Sequence, residues 1–293
     1  MIVPPNHLLH VGYPKAGTSF VKAWCAAHPE VRFSYGGLAG LAGAADVLDP
    51  RASAFGAAVT SEERFVVAGL GAQGVSREEV AARVAALFPG SRVLILTRGF
   101  EAMLRSSYSQ LLRTGDARTR AALWGERDGW LEYLDYDGVA ELYEGHFGPE
   151  AVTVLPYELL RDDPDAFLDE VARPLGVARH GVDPGRVNPS MDRTGEDWHR
   201  RISGAAQRAA HVLPKSRRLL GWYRRKWVDT RRVERVARRL ARWAPIGGDD
   251  AAEQAALDAL LPRLAARAAR LRERPFFRPY AAAYGAPTRT GGA

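Results

Sequence analysis

The sequence predicts a three-layer α/β/α fold with a central parallel sheet and a P-loop-like phosphate loop, followed by a C-terminal helical extension. Apolar runs alternate with helical stretches through the first two thirds of the chain, and a glycine-rich loop follows the first run. Such alternation indicates a parallel sheet covered on both faces. The 293 residues are many for one compact domain and few for two large ones. We therefore expect an α/β core at residues 1–212 and a basic, mostly helical extension packed on it at residues 213–293.

Composition excludes several other classes of protein. The hydrophobic share of 46% argues against disorder, and the 29 glycines show no three-residue period. Cys25 is the one cysteine in the sequence, and no Cys/His spacing suits a metal, so a reducing, cytoplasmic setting is expected. The N-terminal residues lack the basic region of a signal peptide, and no apolar stretch approaches the roughly 18 residues of a membrane span.

The first half of the core is predicted as follows. An apolar run at residues 7–11 is a strand that ends at a glycine, and residues 17–27 form the first helix. Residues 33–58, rich in Gly and Ala, are expected to form loops and small helices. Residues 65–68 are the predicted second strand. The Ser-Arg-Glu-Glu stretch at residues 76–79 is a capping box, which starts a helix that ends before Pro-Gly.

The second half repeats the alternation. Residues 93–96 form a continuous apolar run, which is typical of a strand buried on both faces, and a helix follows Arg98. Residues 152–155 are a further strand. Asp163-Pro164 starts another helix, with Pro in its first turn, that runs to about residue 172.

The phosphate loop lies between the first strand and the first helix. Residues 12–19 read Gly-Tyr-Pro-Lys-Ala-Gly-Thr-Ser, so Thr18 stands where the Walker pattern has its lysine, and the lysine is Lys15. A strand, a glycine turn and a helix direct backbone N–H groups at an anion. A metal-dependent NTPase also needs an acidic residue at a neighbouring strand end, and the predicted inner strands lead into Gly-Leu-Gly and Thr97-Arg98. A metal-dependent NTPase is therefore disfavoured, although the loop is still expected to bind a phosphate.

Two motifs together resemble those of the sulfotransferases that use 3′-phosphoadenosine 5′-phosphosulfate (PAPS). Residues 14–20, Pro-Lys-Ala-Gly-Thr-Ser-Phe, are similar to the family's 5′-phosphosulfate loop, with Ala16 in place of the common Ser or Thr. Arg98 at a strand end, with Ser106 eight residues later, resembles the 3′-phosphate motif. The strand at residues 152–155 and the Tyr-Glu-x-Leu turn after it also match in order. The resemblance covers about residues 7–195.

The resemblance implies an enzyme that transfers a sulfuryl group from PAPS to a hydroxyl of a glycan, a lipid or a small natural product, giving PAP and a sulfate ester. It implies no metal, because a lysine replaces the cation at the leaving phosphate. A P-loop nucleotide kinase or NTPase and a non-catalytic PAP-binding protein are the alternatives. The implied catalytic residue is Lys15, and the implied PAPS-binding residues are Pro14, Lys15, Ala16, Gly17, Thr18, Ser19, Phe20, Arg98, Ser106 and Arg193.

A hydroxyl acceptor also needs a general base. The family takes it from a His after the second strand or a Glu after the first helix, and neither stands at the predicted positions. His10, two residues before the loop, is the candidate base, although a buried structural histidine is the alternative interpretation. Asp46 and Asp49 are further candidate bases, because they lie in the Gly- and Ala-rich segment that could wall the acceptor pocket. An acidic acceptor such as a phenol would need little help.

The net charge of +7 is unevenly distributed. Residues 213–243 hold 12 Lys or Arg and 2 Asp or Glu, a local charge of +10, so the rest of the chain carries −3. Val233, Val236, Leu240 and Trp243 are spaced 3, 4 and 3 residues apart and predict an amphipathic helix with this stripe on the core. Alternatively the segment binds an anionic acceptor or an anionic membrane surface. In the second case the protein would be peripheral to the membrane. No nucleic acid is expected, because no nucleic-acid-binding motif accompanies the charge.

Overall fold

The structure is a computed structural model that describes residues 6–35, 56–67, 75–181, 192–212, 216–244, 246–247 and 250–285. Its described part contains a five-stranded, all-parallel sheet in the order β2-β3-β1-β4-β5. Helices flank the sheet, so the predicted α/β fold class is confirmed. The strands are β1 (His7–His10), β2 (Val31–Tyr35), β3 (Ala57–Ser61), β4 (Arg92–Thr97) and β5 (Val152–Pro156).

The helices follow the sequence signals at several ends. Ser76 accepts a hydrogen bond from the Glu79 amide at 3.1 Å, as the capping box predicts, and Asp163 accepts one from the Ala166 amide at 2.9 Å. The α-helices are α1 (Thr18–Ala27), α2 (Arg64–Val67), α3 (Arg77–Leu87), α4 (Phe100–Arg113), α5 (Arg120–Trp124), α6 (Arg127–Tyr133), α7 (Tyr136–Phe147), α8 (Tyr157–Asp162), α9 (Pro164–Ala172), α10 (Arg193–Val212), α11 (Ser216–Tyr223), α12 (Arg232–Trp243) and α13 (Asp250–Ala265).

The second strand was predicted in the wrong place. The strand that lies between β1 and β2 is Ala57–Ser61, and the Phe65-Val66-Val67 run lies within the single helical turn of α2. Every residue of β3 is buried, which lets an Ala- and Ser-containing segment serve as a strand despite its weak β propensity. The edge strand β2 also lies partly within residues 33–58, where loops and small helices were expected.

The chain divides into two compact units, and this division differs from the one predicted at residue 212. The first unit comprises residues 1–100, 131–187 and 263–293, and the second comprises residues 101–130 and 188–262. In the second unit α10 contacts α12. Trp198 Nε1 of α10 donates to the carbonyl of Ala244, the residue after α12, at 2.8 Å. In the first unit Tyr284 lies at the end of β4, with its hydroxyl 3.0 Å from Thr97 Oγ1. The division follows these long-range contacts, which local sequence does not specify.

Helix α12 is present as predicted, but the stripe expected to face inward was wrong. Val233 and Ala237 are fully buried, whereas Val236 is 38% exposed and Trp243 is 81% exposed. The buried residues are spaced four apart, so the helix presents a face rotated from the expected one. Among the described residues, no helix is both long and apolar enough to cross a membrane.

Candidate active site

The phosphate loop connects β1 to α1 at the carboxyl edge of the sheet. The amides of Val11 and Tyr13 donate to the carbonyls of Leu94 and Leu96 at 2.9 and 3.0 Å, so the loop is anchored on β4. The chain then turns through left-handed conformations at Lys15 (φ 70°) and at the glycine of position 17 (φ 89°). This turn directs the start of α1 back over the end of β1.

Two glycines allow close packing around this loop. A Cβ on Gly12 would lie 2.9 Å from Leu96 Cβ and 3.0 Å from His10 Nε2. A Cβ on Gly17 would lie 2.8 Å from Leu160 Cδ2, and the positive φ of Gly17 would add backbone strain. The loop geometry therefore requires glycine at both positions.

The N-terminus of α1 has the properties of an anion site. Its N-cap is Gly17, which supplies no side-chain hydrogen bond, and its first turn contains no acidic residue. The first-turn amides therefore receive no side-chain cap, and the positive end of the helix dipole faces the same loop. Thr18 is 3% exposed. Ser19 is exposed, whereas Lys15 is half-buried. This set of groups fits a phosphate or a phosphosulfate.

Arg98, at the end of β4, reaches the phosphate loop. Its Nη1 donates to the Lys15 carbonyl at 3.1 Å, and its Cζ lies 4.6 Å from the centroid of the Tyr157 ring. The Nε of Arg98 is buried and has no hydrogen-bond partner within the described ranges. A buried N–H without a partner beside an anion loop fits a bound anionic group. The structure thus brings together Lys15 and Arg98, residues from the two motifs noted in the sequence.

Three buried side chains hold the turn after Arg98. Tyr136 donates its hydroxyl to the Arg98 carbonyl at 2.7 Å. Glu158 accepts from the Gly99 amide at Oε1 and from the Tyr284 hydroxyl at Oε2, each at 3.0 Å. Glu158 belongs to the Tyr-Glu-x-Leu turn noted in the sequence, whereas no sequence signal pointed to Tyr284. No motif marks the C-terminal aromatic residues, and only their packing against β4 reveals this role.

Two predicted binding residues, Ser106 and Arg193, belong to the second unit. Ser106 lies on α4 and is half-buried. Arg193 begins α10 and forms ion pairs with Glu253, at 2.6 Å, and with Asp250. Roles for Ser106 and Arg193 in PAPS binding stay predictions. The Asn-Pro-Ser stretch before Arg193 lies outside the described residues, as do Asp46 and Asp49.

His10 is enclosed below the loop. Its Nδ1 lies 2.9 Å from Ser61 Oγ, its Nε2 has no partner in the described part of the chain, and the residue is 1% exposed. Burial, with a smaller contribution from the positive charge of Lys22, lowers the pKa of His10 to about 3. The imidazole is therefore neutral at pH 7 and a weak proton acceptor. These properties favour the structural interpretation of His10.

Two carboxylates that sequence reasoning missed follow β3 directly. The Glu62 amide donates to the His10 carbonyl at 3.0 Å, so this segment continues beside the end of β1. Glu63 forms an ion pair with Lys22 of α1, with Nζ and Oε1 2.6 Å apart. They were missed because the second strand was predicted at residues 65–68. The premise that no acidic residue follows an inner strand is therefore wrong.

Comparison with known proteins supports the fold. The crystal structure of a sulfotransferase from Alicyclobacillus acidocaldarius is similar to this chain, with a TM-score of 0.50 and 18% sequence identity. The match covers 72% of this chain and 96% of that one. No family model matches the sequence, and no curated protein does. At this identity the similarity concerns the fold, and we conclude that the chain has a sulfotransferase-like fold.

Proposed function

We propose that this protein is a PAPS-dependent sulfotransferase that acts on a hydroxyl of a glycan, a lipid or a small natural product. The observation that carries the proposal is the 3.1 Å hydrogen bond from Arg98 to the Lys15 carbonyl. This bond connects the motif that resembles the 5′-phosphosulfate loop to the motif that resembles the 3′-phosphate site. The sulfotransferase-like fold and the uncapped start of α1 give further support.

In the proposed reaction the acceptor oxygen attacks sulfur in line with the bond to the 5′-phosphate. That sulfur–oxygen bond breaks, and negative charge grows on the bridging oxygen of the leaving PAP. Lys15 and the first-turn amides of α1 would stabilise this charge, and the hydroxyls of Thr18 and Ser19 would hold the 5′-phosphate. Arg98 would bind the 3′-phosphate through its unpartnered Nε–H. In this proposal Lys15 neutralises the charge of the leaving phosphate, which a metal ion neutralises in many phosphoryl transfers.

The acceptor proton needs a base, and we assign this role to Glu63. Glu63 follows β3 at the edge of the sheet from which the phosphate loop leaves β1. Its ion pair with Lys22 fixes the carboxylate beside α1. His10, the candidate from sequence, is sealed from an acceptor and has a low pKa. The Glu63 side chain is 28% exposed, so an acceptor can come within reach of its carboxylate.

A metal-dependent nucleotide kinase or NTPase is the second candidate. It is favoured by Glu62 and Glu63, which follow a strand adjacent to β1, where such enzymes place an acidic residue. A thermal-shift comparison separates the candidates. PAP without metal should stabilise a sulfotransferase, by about 2.7 kcal/mol at 100 times its Kd. Stabilisation by ATP with Mg²⁺ and not by PAP would instead support the kinase or NTPase.

Transfer itself is tested at Lys15. Lys15→Ala should abolish sulfuryl transfer from PAPS to an acceptor that the wild type uses, because the charge on the leaving oxygen is no longer neutralised. Arg92→Ala is the matched control, since this exposed cation lies at the opposite end of β4. Near-normal turnover in Lys15→Ala would contradict the proposal. PAP binding without transfer to any acceptor of a broad panel would indicate the non-catalytic binder.

A further inference from the structure

The solvent-facing side of α12 combines arginine with exposed apolar residues. We call it the arginine–tryptophan face. Trp243 is 81% exposed and Val236 is 38% exposed, and both belong to the few large hydrophobic residues exposed in the described part of the chain. At 100° per residue these two side chains lie on one side of the helix with the neighbouring exposed arginines. The face consists of Arg232, Arg235, Val236, Arg239, Arg242 and Trp243.

The opposite side of α12 holds the helix in the second unit. Val233 and Ala237 are fully buried, and Glu234 is 8% exposed. Glu234 forms ion pairs with Arg238 at 2.9 Å and with Arg113 of α4 at 3.6 Å. The internal contacts of α12 are therefore made by this side, and its orientation does not depend on the outer residues.

The charges of the arginine–tryptophan face are not neutralised within the described ranges. None of its four arginines forms an ion pair with a described acidic residue. The π-helix Arg224–Val228 and the turn after it add exposed cations at Arg224, Arg225, Lys226 and Arg231, against one exposed carboxylate, Asp229. The region thus presents a local positive surface on a chain whose other residues sum to a negative charge.

We propose that the arginine–tryptophan face docks on an anionic lipid bilayer. Arginine side chains near a negatively charged leaflet are attracted to its headgroups, and tryptophan is enriched where headgroups meet acyl chains. Soluble polyanions would satisfy the arginines but would leave Trp243 and Val236 in water. The 12 residues of α12 extend over about 18 Å, so the whole arginine–tryptophan face can lie along a bilayer surface. This inference stands independently of the proposed sulfotransferase activity.

Vesicle co-sedimentation of the full chain tests the proposal. We expect binding to vesicles of phosphatidylcholine with about one third phosphatidylserine, weaker binding as salt rises, and little binding to phosphatidylcholine alone. Arg235→Gln/Arg239→Gln should lower the partition coefficient roughly 30-fold, about fivefold for each arginine. The matched control is Arg92→Gln/Arg127→Gln, which removes two exposed arginines elsewhere and should bind like the wild type.

The apolar contribution is tested by Trp243→Ala. This variant should partition several-fold more weakly while keeping the salt dependence of the wild type. Equal binding to both vesicle types, or equal losses in the two double variants, would overturn the proposal. Binding to heparin without binding to anionic vesicles would assign the face to soluble polyanions and overturn it too. The PAP thermal shift, measured on the same variants, keeps this test separate from that of the proposed function.

Discussion

Tyr284→Phe tests how the C-terminal segment supports the candidate site. The Tyr284 hydroxyl donates to Glu158 Oε2 at 3.0 Å and lies 3.0 Å from Thr97 Oγ1, which can donate to it. Tyr284 and Thr97 are fully buried, and Glu158 is 4% exposed. The substitution removes the hydroxyl and leaves the ring, which packs against Phe277 and Phe100. The change therefore isolates the hydrogen bonds.

The expected loss follows from the burial of Glu158. A hydrogen bond to a charged group contributes about 1.5–3 kcal/mol, and a buried carboxylate oxygen that loses its donor is costly. We expect Tyr284→Phe to lower the free energy of unfolding by about 2–3 kcal/mol. Tyr143→Phe is the matched control in the same unit, because Tyr143 is also fully buried and donates to one neutral carbonyl, that of Phe65, at 3.1 Å. The control should lose about 1 kcal/mol.

The same substitution should affect PAP binding. Glu158 also accepts from the Gly99 amide, next to Arg98, so a displaced carboxylate releases the turn that holds this arginine. We expect Tyr284→Phe to bind PAP a few-fold to about tenfold more weakly, and Tyr143→Phe to bind it normally. Urea unfolding followed by circular dichroism and PAP titration measure the two effects. Equal unfolding losses in both variants, or unchanged PAP affinity in Tyr284→Phe, would refute this reasoning.

Three further predictions concern the phosphate loop and its surroundings. Gly17→Ala should destabilise the fold by about 1–3 kcal/mol and weaken PAP binding, because the φ of Gly17 is 89° and the new Cβ meets Leu160. Gly145→Ala is the control, since no atom lies within 4 Å of its Cβ, and it should neither destabilise the fold nor weaken PAP binding. Burial lowers the pKa of His10 from 6.5 to about 3, so unfolding takes up a proton between these values. Stability attributable to His10 should therefore fall by about 2 kcal/mol from pH 7 to pH 5, and unfolding of His10→Asn should show a correspondingly smaller pH dependence. Glu63→Gln should slow sulfuryl transfer at least about 100-fold while PAP still binds, and an unchanged rate would remove Glu63 as the base.

Signals confined to a few neighbouring residues were sufficient for much of the fold. The capping box at Ser76 and the Asp163-Pro164 start of α9 are determined by bonds within one helical turn. The apolar run of β4 reflects burial on both faces of a parallel sheet. The glycine pattern around Lys15 likewise predicts the turn between β1 and α1. The sequence by itself thus determined the sheet class and the turn between β1 and α1.

Only the tertiary structure decided features that depend on distant partners. β3 is a strand because β1 and β2 pair with it on either side, although Phe65-Val66-Val67 has the stronger β propensity. Tyr284 reaches Glu158 across 126 residues, and no local pattern encodes that hydrogen bond. The outward side of α12 was decided by the packing of Val233 and Ala237. Hydrogen bonds between near neighbours in the sequence determine turns and helix caps. Which apolar segment becomes a strand, and which face of a helix is buried, depends instead on the distant residues that pack against it.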